Sequence, residues 1–140
     1  MNKALFEKQF AKGKPYEEIF ISYLNTKDII LPPKNHKEYD VMSNGVKYEI
    51  KADYVCHRTG NIAIEYEQFG KPSGILTTTA DYWVIYTIAP NTSYDFYVIP
   101  IDIIREIIKD KTMRRPNGIN GLSWCHCIPK TKFAKHLVSF

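Results

Sequence analysis

An Asn44-Gly45 pair between two stretches of alternating apolar and polar residues constrains the fold of this chain more than any other feature. A two-residue type I′ turn needs positive φ at both central positions, and asparagine followed by glycine adopts it readily. The alternation over residues 38–43 and 46–53 has the two-residue period of a β-strand. We therefore predict a tight hairpin whose turn fixes the pairing of its two strands.

The hairpin register brings charged side chains together. The turn pairs Ser43 with Val46. Counted outward from that pair, Asp40 lies directly opposite Glu49, with a Cβ separation of about 5 Å. Two carboxylates at this distance repel each other unless a cation neutralises them. Lys51 follows two residues after Glu49 and points to the same face. We therefore predict a cation-binding site on this face. The alternative is a solvated polar face of a strand.

The rest of the chain alternates between helical and strand patterns and predicts one α/β domain over residues 1–140. Helical spacing predicts a short helix before Gly13, a second from Pro15 to Leu24, a short one from Ser73 to Thr79 and a longer one from Ile101 to Lys109. Strand patterns follow the hairpin at residues 61–67, 81–88, 94–99 and 124–128. This order, ααβββαββαβ, predicts an α/β or α+β domain that is built on a central sheet.

Length, charge and cysteine content restrict the class of protein. A chain of 140 residues fits one compact domain. Its formal net charge of +4 permits a polyanionic partner. No apolar run approaches the roughly 18 residues that a membrane helix needs, and three cysteines are too few for a disulfide framework. We expect a soluble, cytoplasmic protein without a membrane partner.

Further acids lie on the neighbouring predicted elements. If residues 54–60 join the second and third strands in antiparallel fashion, Glu65 projects to the same sheet face as Glu49. On the preceding helix, Glu17 lies on the side that is expected to pack on the sheet; Glu18 is the alternative. Three acids and a lysine on one sheet face are costly to keep together unless they bind a metal ion or do chemistry.

Asp40 is followed after eight residues by Glu49-Ile50-Lys51, and a predicted helix that carries Glu17 or Glu18 precedes them. This arrangement resembles the motif of the PD-(D/E)XK nuclease superfamily, which includes restriction endonucleases, Holliday-junction resolvases and many phage nucleases. The resemblance extends from about residue 13 to about residue 110.

Two details refine the resemblance. The stretch from Ile64 to Tyr82, with Gly70-Lys71-Pro72-Ser73-Gly74 near its centre, is similar to the third strand, short helix and fourth strand of phage-type members. Tyr39 stands where the name of the motif has proline. That position touches neither metal nor water, so the departure changes little.

The resemblance implies a restriction-endonuclease-like αβββαβ core, with a central mixed sheet flanked by helices. It also implies a metal-dependent endonuclease that hydrolyses phosphodiester bonds in DNA. If a phage encodes the protein, we expect it in the host-cell cytoplasm. Asp40 and Glu49 would hold Mg²⁺, or Mn²⁺ in its place, together with the carbonyl oxygen of Ile50. Lys51 would orient or help to deprotonate the attacking water. Glu17 and Glu65 would complete the catalytic set as auxiliary acids.

Residues outside the acid group are candidates for contacts with DNA. Lys71, Ser73 and Thr77 surround the start of the predicted short helix, where hydroxyls and free N–H groups could bind phosphate. Arg114 and Arg115 lie in a basic, turn-rich segment. A plain capped helix and solvated loops are the alternatives. A chain with one site would act as a homodimer to cut both strands.

Two other classes of function stay open. A relative that keeps the fold without catalysis would bind nucleic acid or a protein, although the intact acids and lysine argue against it. A zinc-stabilised interaction module would use Cys125-His126-Cys127. Its ligands are too closely spaced for a usual zinc site, and on a strand His126 points away from both cysteines. We interpret the cysteines as buried thiols.

Overall fold

Two β-sheets and a few short helices make up the described part of the chain, which comprises residues 15–33, 38–110, 112–117 and 122–139 of this computed structural model. The helices are residues 15–24 (α1), Cys56–Thr59 (α2) and Ile101–Ile108 (α3), with 3-10 turns at Gly74–Leu76 and Lys130–His136. Within these ranges, no helix is both long and apolar enough to cross a membrane.

The strands pair into two separate sheets. The first contains Val41–Ser43 (β1), Val46–Asp53 (β2), Tyr82–Ile88 (β5), Tyr94–Pro100 (β6) and Leu137–Val138 (β9). The second contains Asn61–Gln68 (β3), Lys71–Pro72 (β4), Met113–Asn117 (β7) and Ser123–Pro129 (β8). Their spatial orders are β1-β2-β5-β6-β9 and β4-β3-β8-β7.

The first sheet is mixed, as the sequence predicts. Strands β2 and β5 run parallel, and the other neighbouring strands of this sheet are antiparallel. Strand β5 is buried from Trp83 to Ile88, as expected of a strand that is covered on both faces. The mixed α/β class is thereby confirmed.

The predicted hairpin is also confirmed. Asn44 and Gly45 have φ values of 51° and 77°, and strand pairing begins at Ser43 and Val46. On the outer side of β1, the main chain of Met42 exchanges two hydrogen bonds with Ile30, at 2.8 and 2.9 Å. The edge of the hairpin is therefore covered rather than open to another strand.

The two faces of the first sheet enter different apolar clusters. On one face, α1 packs through Phe20 in a cluster with Val84 and Tyr86. On the other face, Trp83 and Ile85 pack among residues of the second sheet and α3. The predicted helix from Pro15 to Leu24 is confirmed, whereas the short helix predicted before it lies outside the described residues.

The antiparallel pairing of the second and third strands, on which the expected position of Glu65 depends, does not form among the described residues. Within the described chain, β3 pairs with β8 and β4 in the second sheet rather than with β2. The carboxylate of Asp53, at the end of β2, accepts the N–H groups of Val55 and Cys56 at 2.9 and 2.8 Å. It also accepts the N–H of Ala63 on β3 at 3.1 Å. These bonds fix α2 and direct the chain out of the first sheet.

Two other segments differ from the prediction. Residues 73–79 form only the short 3-10 turn instead of a helix, and the β-branched threonines at 77–79 disfavour its continuation. The basic segment with Arg114 and Arg115 belongs to β7 instead of a loop. Its pairing with β8 is a tertiary contact that the local turn signals do not reveal.

Gly74 packs against β3 at a position where only glycine fits. Its φ is +54°, and a Cβ there would overlap the carbonyl oxygen of Glu65. We expect Gly74→Ala to lower the free energy of unfolding, measured in urea, by more than the roughly 1–2 kcal/mol that a left-handed conformation alone costs. Gly70→Ala is the matched control, because Gly70 has a φ of +76° but open space around it. Equal losses in both variants would contradict the close approach.

Candidate active site

Asp40 lies immediately before β1, where the strand register changes. Its main-chain N–H donates to the carbonyl of Tyr48 at 2.9 Å, although Val41 is the residue that pairs with Tyr48. Two consecutive residues thus face one residue of β2, as in a β-bulge. The prediction that Asp40 lies directly opposite Glu49 is therefore wrong by one residue.

This shift directs the Asp40 carboxylate to the main chain of β2. Oδ2 of Asp40 accepts the N–H of Ile50 at 2.7 Å, and the residue is only 7% exposed. The N–H and C=O of one strand residue point to the same side of the strand. The carbonyl of Ile50 therefore faces the same edge of β2 as Asp40, so two of the predicted oxygen ligands lie at one edge.

Glu49 and Lys51 form an ion pair on one face of β2. The Nζ of Lys51 lies 2.7 Å from Oε2 of Glu49, with 39% and 21% of the two side chains exposed. The parallel neighbour β5 places Trp83 beside Glu49, and the Lys51 ammonium is 5.0 Å from the indole centroid. The ammonium is therefore held by a carboxylate and an aromatic ring.

Glu49 has a second partner that the sequence did not identify. Oγ1 of Thr78 donates a hydrogen bond to Oε1 of Glu49 at 3.2 Å. Three consecutive threonines at 77–79 give no local sign of which one turns towards the acid. Trp83 was missed for a similar reason, because an aromatic residue in an apolar strand is expected in the core. Only the pairing of β2 with β5 could have connected it to Glu49.

A polar cavity of about 240 Å³ opens over this group. The residues that line it belong to the segment before β1, to β2 and to the segment before β5: Glu38, Glu49, Lys51, Gly74, Thr77, Thr78 and Thr79. Water occupies about 30 Å³ per molecule in the liquid, so the cavity has room for a hydrated ion or a phosphate group.

Glu65 and Ser73 lie behind the cavity wall. Oγ of Ser73 donates to Oε2 of Glu65 at 3.1 Å, and Gly74, which lines the cavity, packs against the main chain of Glu65. Thr77 lines the cavity itself. The structure thus places Thr77 beside the acid–lysine group and gives Ser73 and Glu65 a supporting position.

The other predicted site residues lie elsewhere. Glu17 is on α1, which packs on the face of the first sheet opposite to the ion pair. Lys71 is exposed on β4. On β7, the Arg114 guanidinium lies 5.5 Å from the ring centroid of Tyr66, and the carbonyl of Arg115 accepts a hydrogen bond from the thiol of Cys125. The last three residues belong to the second sheet, not to the cavity.

The expected burial of the three cysteines is confirmed. Burial raises the pKa of Cys56 and of Cys125 to about 11, so both thiols are protonated at neutral pH. Burial, followed by the nearby charge of Arg114, lowers the pKa of His126. Nδ1 of His126 lies 2.6 Å from Oγ1 of Thr112, and its ring packs on Tyr66. The histidine and the cysteines do not converge.

Among the described residues, no three His, Cys, Asp or Glu side chains come together as a metal-holding group. The oxygen donors on or next to β2 are the carboxylates of Asp40 and Glu49 and the main-chain carbonyl of Ile50. Mg²⁺ commonly binds one or two carboxylates and keeps several waters. The chemistry of this donor set therefore fits Mg²⁺.

Comparison with known proteins assigns no family to the chain. No protein-family model matches it, and no curated protein matches it.

The bond between Asp40 and Ile50 makes a testable contribution to stability. We expect Asp40→Ala to lower the free energy of unfolding by at least about 1–3 kcal/mol, because it removes the acceptor of a partly buried N–H. Asp40→Asn keeps an oxygen at that position, so its loss should be smaller. Urea denaturation of the metal-free protein measures both. Wild-type stability of Asp40→Ala would show that the bond does not form in solution.

Proposed function

We propose that this protein is a metal-dependent endonuclease that hydrolyses phosphodiester bonds in DNA. The observation that carries the proposal is the bond between the Asp40 carboxylate and the N–H of Ile50, the residue that separates Glu49 from Lys51, which both line a polar cavity. Two acids supply oxygen ligands for a cation, and a partly exposed ammonium next to them can reach an anionic substrate. The net charge of +4 agrees with a polyanionic partner.

We further propose that the fold is a variant of the restriction-endonuclease-like core. Three features support this: the antiparallel β1–β2 hairpin with the acids, helix α1 on one face of the sheet, and β5 parallel to β2. The departure is β3, which follows the hairpin in the chain but belongs to the second sheet. In this proposal, the residues that resemble the PD-(D/E)XK motif belong to the first sheet and the segment just before it.

In this proposal, Asp40, Glu49 and the carbonyl of Ile50 hold Mg²⁺, or Mn²⁺ in its place. When bound, the ion supplies Lewis-acid polarisation of the phosphodiester. Asp40 keeps its orientation through the N–H of Ile50. Because the same residue supplies that N–H and the carbonyl ligand, the acid and the carbonyl cannot move independently.

In the proposal, Lys51 orients the attacking water or helps to remove its proton. Its ammonium is held 2.7 Å from Glu49, and 39% of its side chain is exposed. It can donate a hydrogen bond to a phosphate oxygen or orient the attacking water while it stays next to the acid. Trp83 beneath it limits the directions in which the ammonium can point.

The remaining residues have secondary roles in the proposal. Thr77 at the cavity contacts the DNA backbone, and Glu65 supports the cavity wall through Ser73. Glu17, or Glu18 in its place, would need to reach the site around the edge of the sheet. Lys71, Arg114 and Arg115 would extend the DNA contacts along the second sheet, and a homodimer would supply a second site for cleavage of both strands.

Substitution of Lys51 tests the catalytic assignment. We expect Lys51→Ala to reduce DNA cleavage in Mg²⁺ by about a hundredfold or more, which is the range for a group that acts on a proton in the transition state. Supercoiled plasmid, linear duplex and a four-way junction are suitable substrates. Lys109→Ala is the matched control, because Lys109 forms an exposed ion pair with Glu106 on α3.

Two results would contradict this assignment. Equal cleavage by Lys51→Ala and Lys109→Ala would remove Lys51 from the mechanism. Absence of cleavage by the wild-type protein in both Mg²⁺ and Mn²⁺, with DNA binding retained, would instead favour a non-catalytic binding module on the same fold.

Replacement of the metal tests the role of the acids. Ca²⁺ also prefers oxygen ligands, but its bonds are longer, at about 2.3–2.6 Å against 2.0–2.1 Å for Mg²⁺. We expect DNA affinity at fixed ionic strength to be higher in Ca²⁺ than in EDTA, because a cation offsets the repulsion between phosphate and carboxylates. Cleavage should stay far below the Mg²⁺ rate. Gel-shift and cleavage assays measure both, and cleavage in EDTA would exclude the metal site.

A further inference from the structure

The hydroxyl of Thr78 lies at the centre of a hydrogen-bond network behind Glu49. It donates to Oε1 of Glu49 at 3.2 Å and accepts the N–H of Ala80 at 3.2 Å and the indole N–H of Trp83 at 3.3 Å. A hydroxyl has one proton and two acceptor lone pairs. The two N–H groups occupy the lone pairs, so the single proton is directed to Glu49.

The main chain of Thr78 is anchored separately from its side chain. Its N–H donates to the carbonyl of Gly74 at 2.9 Å, and its carbonyl accepts a hydrogen bond from the Arg105 guanidinium at 3.3 Å. Gly74 packs on β3, and Arg105 is on α3. Loss of the hydroxyl should therefore leave the backbone of this residue in place.

Trp83 connects the same network to Lys51. Its side chain is buried, its ring lies 5.0 Å from the Lys51 ammonium, and its N–H reaches Thr78. One buried indole thus contacts the lysine through its ring and the acid through the threonine hydroxyl. Two neutral groups, the indole of Trp83 and the hydroxyl of Thr78, therefore set the orientation of Lys51 relative to Glu49.

We infer that Thr78 is a positioning residue, whose hydroxyl holds the Glu49 carboxylate at a fixed orientation beside Lys51. The inference rests on the proposed nuclease function. A neutral donor on Oε1 does not cancel the charge of the acid. Without that donor, the carboxylate can rotate towards the ammonium and pair with it through both oxygens. Both groups would then be withdrawn from the cavity where the substrate binds.

Three variants separate the hydroxyl from the rest of the residue. Thr78→Val replaces the hydroxyl with a methyl group of similar size, and Thr78→Ser keeps it. Thr87→Val is the control, since Thr87 lies on β5 and its hydroxyl donates to the carbonyl of Asp95 at 3.4 Å. Melting temperatures of all variants show whether each one is folded.

We expect Thr78→Val to lower kcat for DNA cleavage in Mg²⁺ by about 10–100-fold, the usual effect of removing a partner that orients a metal-binding group. KM should change less, because the residue does not hold the substrate. Thr78→Ser should restore cleavage to within about threefold of wild type, and Thr87→Val should keep the wild-type kcat.

The indole N–H signals in ¹H–¹⁵N spectra give a readout that does not depend on catalysis. The chain has two tryptophans, so Trp124 on β8 is an internal reference for Trp83. In Thr78→Val, the Trp83 signal should shift and exchange with solvent faster, because it loses its acceptor. The Trp124 signal should stay in place in every variant.

The possible failures are distinguishable. An unchanged Trp83 signal in Thr78→Val would show that the network does not form, and a wild-type kcat in that variant would show that it positions nothing. An equal loss in Thr87→Val would assign the effect to general destabilisation. Each of these outcomes overturns the inference while the wild-type protein still cleaves DNA. A wild-type protein that cleaves no DNA refutes the proposed function and the positioning role with it.

Discussion

The parallel pairing of β2 with β5 is the constraint on which the rest of the structure depends. It places Glu49 beside Trp83 and Tyr48 beside Tyr82, so one strand pair sets both the site and the stacked rings of the opposite face. Because β5 is buried on both of its faces, other elements must pack on both sides of the sheet. Helix α1 supplies one cover, and the second sheet with α3 supplies the other. The ion pair lies on the second of these faces.

Stability alone does not explain how closely the surrounding structure holds the ion pair on β2. An ion pair as exposed as that of Glu49 and Lys51 contributes about 0–1 kcal/mol. The surrounding structure nevertheless holds it through a buried indole and a hydroxyl. Under the proposed function, this close orientation would serve metal binding and catalysis rather than stability. Asp40 differs from this pair, because its bond to the N–H of Ile50 also stabilises the hairpin.

Local sequence signals predicted the parts of the fold that local physics decides. The Asn44-Gly45 pair correctly predicted the hairpin, because few other residue pairs adopt positive φ at both central positions of a turn. The same turn identified Glu49 and Lys51 as neighbours on one face. The strand register predicted from the turn is wrong at Asp40, the residue immediately before β1. The bulge there depends on the hydrogen bond between Asp40 and Ile50, and the alternation of residues does not reveal that bond. The sequence thus predicted that Glu49 and Lys51 are neighbours, but it did not predict the positions of Asp40, Glu65 and Glu17 relative to them.

The path of the chain after β2 was not predictable from such signals. A loop of seven residues between two strands usually suggests an antiparallel pair, yet here Asp53 bonds to α2 and to Ala63 at once. Because one carboxylate accepts N–H groups from both α2 and β3, it fixes the orientation of these two elements relative to each other. In that orientation β3 pairs in the second sheet rather than the first. That departure brings Gly74 against Glu65 and the threonine segment over Glu49. The segment that lines the cavity beside Glu49 is therefore held in place by β3 of the second sheet.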